Sequence, residues 1–96
     1  MAVSFTSKVA ASIAAQNVFS QPIELCGAFN ISLSGTWTAT VHLQRSFDQG
    51  ATWQDVQALS SNAELVGDEP ERGVLYRFGV KTGNYTSGTV VGRLSQ

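Results

Sequence analysis

His42 is the only histidine in this 96-residue sequence, so proton transfer near neutral pH through a side chain of ordinary pKa would have to run through it. A general base needs a partnered nucleophile and a third group to orient it. His42 instead falls between Thr40 and Gln44, on the polar side of an alternating stretch, and reads as decoration of an exposed strand. Cys26 is the single cysteine, which excludes an intrachain disulfide and a cysteine metal cluster; it reads as a small buried hydrophobe. Glycoside hydrolysis would need two opposed carboxylates. Glu24, Asp48 and Asp55 are scattered, and the run Glu64, Asp68, Glu69 and Glu71 reads as a solvated face. No glycine loop of phosphate-binding spacing precedes a helix. The expectation is a chain that is not an enzyme and holds no metal or cofactor.

The elements behind these residues are strands. Trp37, Ala39, Val41, Leu43 and Phe47 share one parity from Thr36 to Phe47, opposite Thr38, Thr40, His42 and Gln44, as in a half-buried strand. Phe29, Ile31 and Leu33 alternate with Asn30, Ser32 and Ser34. With Gly35 between the two runs, Phe29–Gln44 reads as a hairpin. Val74, Tyr76, Phe78 and Val80 alternate again, and Thr82-Gly83-Asn84 then has the composition of a turn. A last strand is expected from about Gly88 to Leu94. Val9, Ala11 and Ile13 fit a strand, although the alanines also permit a helix; Gln16-Asn17 fits a turn, and Ile23–Leu25 a short strand entered through Pro22. Ser60–Gly73 reads as a loop with a brief strand near Leu65. Seven or eight short strands without a helical layer predict one antiparallel β-sandwich domain over residues 1–96. Jelly-roll wiring is one way to connect it, and residues 1–8 are expected to form an arm.

The segment Ser46-Phe47-Asp48-Gln49-Gly50-Ala51-Thr52-Trp53 has the pattern S-x-D-x-G-x-x-W at every defined position. It resembles the Asp box, the hairpin repeated in sialidases and other β-propellers. In that family the motif shapes a turn and is not the catalytic centre. The resemblance implies that Asp48 accepts hydrogen bonds from loop N–H groups. Gly50 would then take a left-handed backbone, and Trp53 would fold back to bury its ring against the sheet. A propeller needs several blades and one copy is present, so neither that fold nor sialidase activity carries over. What remains is a hairpin joining the Thr36–Phe47 strand to Trp53–Leu59.

Composition narrows the function class further. Six Lys and Arg against seven Asp and Glu leave a formal charge of −1, with no surplus to neutralise phosphates, so nucleic acid is not an expected partner. No apolar run approaches the roughly 20 residues of a membrane span. Met1–Ala15 carries its lone Lys8 inside the stretch and not ahead of it, so it reads as the start of the folded domain, made in the cytoplasm. Charged residues are only 14% of the chain, which suits strands and surfaces that other subunits cover.

The stretch GTWTATVHLQRSFDQGATW, Gly35 to Trp53, and the ending GVLYRFGVKTGNYTSGTVVGRLSQ resemble small virion proteins of tailed bacteriophages. Together they cover a little under half of the chain. The resemblance implies a β-sandwich that decorates or cements a capsid, with the major capsid protein as partner. It also implies a homo-oligomer such as a trimer, and the virion as its location. Two other readings stay open: a head–tail connector or tail subunit, and a carbohydrate-binding or adhesion module. For the last, Trp37 and Tyr76 have core parity, which leaves Tyr85, beside Asn84, as the accessible aromatic for a partner or glycan.

Overall fold

The computed structural model describes residues 7–96; most of the expected arm, residues 1–6, lies outside them. The chain forms nine strands: β1 (Lys8–Ile13), β2 (Val18–Phe19), β3 (Ile23–Glu24), β4 (Gly27–Ser34), β5 (Trp37–Ser46), β6 (Gln54–Leu59), β7 (Ala63–Glu69), β8 (Leu75–Gly88) and β9 (Val90–Ser95). Ser7 and Lys8, assigned to the arm by sequence, are instead tied into the fold. Ser7 exchanges both backbone hydrogen bonds with Gln96, and Lys8 opens β1 opposite Ser95.

Two antiparallel sheets result, ordered β1-β9-β4-β7 and β2-β8-β5-β6, with β3 also on β8. Val18 and Phe19 pair with Val80 and Gly79, and Ile23 and Glu24 with Tyr76 and Leu75, so β2 and β3 are two pieces of one strand position. Ser20 bridges the gap: its N–H donates to Phe78 O at 2.7 Å, and its hydroxyl accepts the Phe78 N–H at 3.1 Å. With β2 and β3 taken together, every connection except β5–β6 passes from one sheet to the other. That is jelly-roll wiring.

The expected Phe29–Gln44 hairpin is therefore corrected. β4 pairs with β7 and β9, and β5 with β6 and β8, so the Gly35 turn carries the chain across the sandwich. Alternation shows that a strand has one buried face, but it says nothing about the neighbour on its edge. The β8–β9 connection crosses beside it, with the Thr89 N–H donating to Thr36 O at 3.1 Å. Both turns need glycine. Gly35 and Gly88 have φ of 99° and 85°, and a Cβ would stand 2.6 Å from Thr89 O and 2.2 Å from Thr36 O respectively.

The core between the sheets is Ile13, Leu25, Phe29, Ile31, Leu33, Val41, Leu43, Val74, Tyr76, Phe78, Val80, Val90 and Leu94. These are the inward parities of the alternating runs. Two aromatic rings are seated on glycines: a Cβ on Gly92 would come within 2.3 Å of the Phe78 ring, and one on Gly67 within 2.5 Å of Phe29. Within this core, Tyr76 and Phe29 pack tilted at 52° with centroids 4.8 Å apart.

Four further expectations change. Ser60–Gly73 is not a loop: its middle is β7, paired residue for residue with β4 from Ala63↔Leu33 to Glu69↔Gly27. Glu69 is consequently not on a solvated face, since its parity turns it inward and leaves it 1% exposed. Cys26 is exposed, because Leu25 takes the inward position and the chain turns at Gly27, φ 81°. Phe47 keeps core parity but lies beyond the last paired residue, Ser46, and is 54% exposed. Its ring lies 4.8 Å from the Arg45 guanidinium.

Candidate functional site

The residues singled out by sequence lie at opposite ends of β5. Ser46, Asp48, Gly50 and Trp53 gather at its C-terminal end, where β5 turns into β6. The Ser46 hydroxyl donates to Asp48 Oδ1 at 2.7 Å and accepts the N–H groups of Gly50 at 2.8 Å and Asp48 at 3.3 Å. Asp48 Oδ1 also accepts the Thr52 N–H at 2.9 Å, and Oδ2 accepts the Thr52 hydroxyl. These donors, the Thr52 hydroxyl first and then the Thr52 N–H and Ser46, pull the Asp48 carboxyl down to about 2. Gln49 and Gly50 have φ of 60° and 91°, so the turn spends two left-handed residues to direct these N–H groups inward.

Trp53 is half-buried, and its ring does not enter the core between the sheets. It covers Gly50, whose Cβ would lie 3.6 Å from the ring. It also lies against Arg77, an outward-facing residue of β8, with the guanidinium 4.3 Å from the Trp53 centroid and 3.9 Å from that of Phe19. Burial there lowers the Arg77 pKa. A polar chain continues across this outer face. Arg77 Nε donates to Gln44 Oε1 at 2.9 Å, Gln44 Nε2 donates to Asp55 Oδ1 at 2.9 Å, and Lys81 Nζ pairs with Asp55 Oδ2. Lys81, then Gln44, hold the Asp55 carboxyl below its usual value. Sequence reading missed Arg77 and Phe19, because only the sheet brings β2, β6 and β8 together.

His42 lies on the same face and is half-buried, not the exposed decoration expected, and its Nδ1 is enclosed without a hydrogen-bond partner among the described residues. No three His, Cys, Asp or Glu side chains converge as metal ligands among those residues. On the inner side, Glu69 Oε1 accepts from the Tyr76 hydroxyl at 2.7 Å and from Arg45 at 3.0 Å, while Oε2 accepts the Glu71 N–H at 3.0 Å. Burial pushes the Glu69 carboxyl up, but Tyr76, Glu71 and Arg45 together outweigh it and leave the net shift downward. The Tyr76 phenol is pushed up to about 12 by burial and by Glu69. Each group is satisfied by the others, and the cluster closes one end of the core.

Asn84 and Tyr85 lie towards the other end of β5, about 20 Å away at the usual rise per strand residue. Thr82-Gly83-Asn84 is not the turn that ends a strand: it lies inside β8, which continues to Gly88. Ala39 pairs with Tyr85 and Val41 with Val80, so the residues between Val80 and Tyr85 bow away from β5 as a wide bulge. Gly83, φ 86°, supplies the left-handed residue, and its N–H donates to Gln16 Oε1 at 2.8 Å. Tyr85 is less accessible than its turn-like context implied. It is half-buried against the core, and its hydroxyl donates to Gly88 O at 2.9 Å. Trp37 is likewise half-buried and not fully core; its Nε1 donates to Asn62 Oδ1 at 2.7 Å.

The remaining surface feature is β6. It pairs only with β5 and forms the free edge of its sheet, and Gln54 to Ala58 are exposed on both faces. Val56 is 45% exposed, and Val66, on the edge strand β7 of the other sheet, is 76% exposed. No helix among the described residues is long and apolar enough to cross a membrane. Compared with protein-family models, with curated proteins and with solved structures, the chain matches none.

Proposed function

We propose that this chain is a structural subunit of a tailed-phage virion, a decoration or cement protein that spans contacts between major capsid subunits. The observation that carries this reading is the bare β6 edge, where five consecutive residues, Gln54 to Ala58, are exposed on both faces. An uncovered edge strand is a template for pairing with another chain, and proteins that stay free blunt it with lysine, proline or a covering loop. β6 contains neither lysine nor proline; what interrupts it is Asp55, paired with Lys81, and a bulge at Val56, where the pairing with β5 steps from Leu43↔Gln57 to Gln44↔Asp55. A partner strand laid along it gains backbone hydrogen bonds of about 0.5–1.5 kcal/mol each, without needing a special side chain.

Such contacts are weak singly and strong when repeated on a symmetric shell, so self-association as a trimer or another closed oligomer belongs to the same reading. The jelly roll supports it as an architecture used by capsid proteins, although lectins use it too, so the fold alone does not decide function. The test compares virions with and without the protein for survival of heat and low ionic strength. Loss of resistance without it, restored by added wild type but not by Val56→Lys, supports the cement role. Equal survival overturns it, and labelling confined to the head–tail vertex would assign the chain to the connector.

A further inference from the structure

We infer that the bulged end of β5 and β8 is a binding groove for a neutral saccharide, with Trp37, Thr38, Thr40, Ser60, Asn84 and Thr86 as its lining. The inference does not depend on the virion reading. Its starting point is the break in the sheet. On β8 the pairing skips from Tyr85 to Val80, and on β6 it begins only at Leu59 opposite Val41, so Thr40 has no ladder partner on either side. A long central strand that gives up pairing at one residue leaves backbone polar groups for something else to bind. The space opened there is a hollow of about 330 Å³, lined by these residues with Ala39 and Gly83. Ligand sites occupy about 300–1,000 Å³.

The chemistry of the lining selects the ligand. Four hydroxyls and one carboxamide both donate and accept, Trp37 and Ala39 add apolar surface, and no lining residue is charged. An ionic ligand finds no counter-charge there, and a purely apolar one would leave the hydroxyls unpaired. A pyranose carries hydroxyls that donate and accept around its rim and a C–H face that suits an aromatic ring. Trp37 is held for this by its bond to Asn62, whose Nδ2 in turn donates to Gly35 O at 3.0 Å. Trp37 and Ser60 also line a second hollow of about 300 Å³ with Gly35, Thr36, Ser61 and Asn62. Two adjoining hollows that share one indole suit successive units of an oligosaccharide better than a single sugar. Both are open, so affinity for one chain is expected on the order of 1 mM.

The probes are maltotriose, cellotriose and N,N′,N″-triacetylchitotriose, with trigalacturonate as the charged comparator, titrated against the ¹⁵N-labelled protein. Amide shifts confined to residues 36–40, 60–62 and 82–87 with at least one neutral trisaccharide support the assignment. Asn84→Ala with Thr86→Ala then weakens that binding at least fivefold, and an unchanged spectrum elsewhere shows that the variant is folded. No shift with any neutral probe at 20-fold the concentration expected for half-saturation (about 20 mM) overturns the proposal. So do shifts that map to another face, undiminished binding by the double variant, or equal binding of trigalacturonate.

Discussion

Replacing Glu69 by alanine removes the acceptor that three donors share, and the cost can be worked from what each donor is left with. The Tyr76 hydroxyl is the expensive one, because Tyr76 is 2% exposed and the carboxylate is its hydrogen-bond acceptor. A buried donor left unpaired costs about 1–3 kcal/mol. Arg45 has a side chain 36% exposed and turns to solvent, so its ion pair adds at most about 1 kcal/mol. The Glu71 N–H is partly buried and contributes less than Tyr76. Glu69→Ala is therefore expected to cost about 3 kcal/mol, a large share of the roughly 5–10 kcal/mol of a domain this size. Urea denaturation reads it as a lower midpoint at unchanged m value.

Tyr76→Phe separates the mechanism from a simple loss of volume. It removes the orphaned hydroxyl, so Glu69→Ala should cost about 1–2 kcal/mol less in the Tyr76→Phe background than in wild type. Additive losses, or a Glu69→Ala cost below about 1 kcal/mol, would refute the reasoning. The pH dependence gives a second check. Glu69 titrates below its usual 4.5 in the folded state, so its stabilising contribution is complete above that value. It is lost as the pH falls through the folded value, because the unfolded chain takes up the proton first. Glu69→Gln resembles the protonated state, and its deficit against wild type should shrink on acidification.

Three further outcomes follow from the packing and the turn. Gly92→Ala drives a methyl into the Phe78 ring and is expected to cost about 1–3 kcal/mol by overpacking, measured by denaturant midpoint; a neutral result would mean that the ring can move. Cys26 is exposed, so a thiol reagent should modify the native protein without prior unfolding, whereas protection until unfolding would contradict its position. Asp48→Ala should lower the denaturation midpoint at neutral pH; the folded carboxyl is pulled from 3.8 down to about 2, so that difference should be complete above about 3.8 and shrink progressively as the pH falls from there towards 2.

What the sequence made legible was each strand's buried face. The parities of Phe29–Leu33, Val41–Leu43 and Val74–Val80 mark residues that do form the core. Partners were not legible, and the reason is physical: edge pairing is made by backbone groups that every residue carries. The Gly35 turn thus reads the same whether it closes a hairpin or crosses the sandwich. β7 was hidden because its outward residues Glu64 and Asp68 and its inward Gly67 and Glu69 look like loop composition. Gly67 is small because Phe29 fills its place, and Glu69 is tolerated inside because Tyr76 and Arg45 wait for it. The Thr82-Gly83-Asn84 signal was a true sign of departure from the ladder, but composition does not separate a strand end from a bulge. Trp37, Thr40 and Thr86 carried no signal of a groove, since that hollow exists only because β8 bows away.

The few charges of this chain are also spent unevenly, and that bears on how it meets a partner. Of its six basic residues, Arg45 and Lys81 are in ion pairs, and Arg77 lies against Phe19 and Trp53. All three sit on the sheet that carries β6, where each is engaged with the molecule's own groups, Arg45 and Lys81 at side chains 36% and 38% exposed. Glu69 and Asp55 are occupied in the same way. The surface around the β6 edge is thus close to neutral, which removes electrostatic steering as a source of fast or selective association. Recognition there has to come from backbone pairing, shape and exposed apolar residues such as Val56, all of which act at short range and gain little from a single encounter. Such a surface suits binding where many copies meet a repeating lattice, and under the proposed capsid role association of wild type with the shell should accordingly change little between low and high salt.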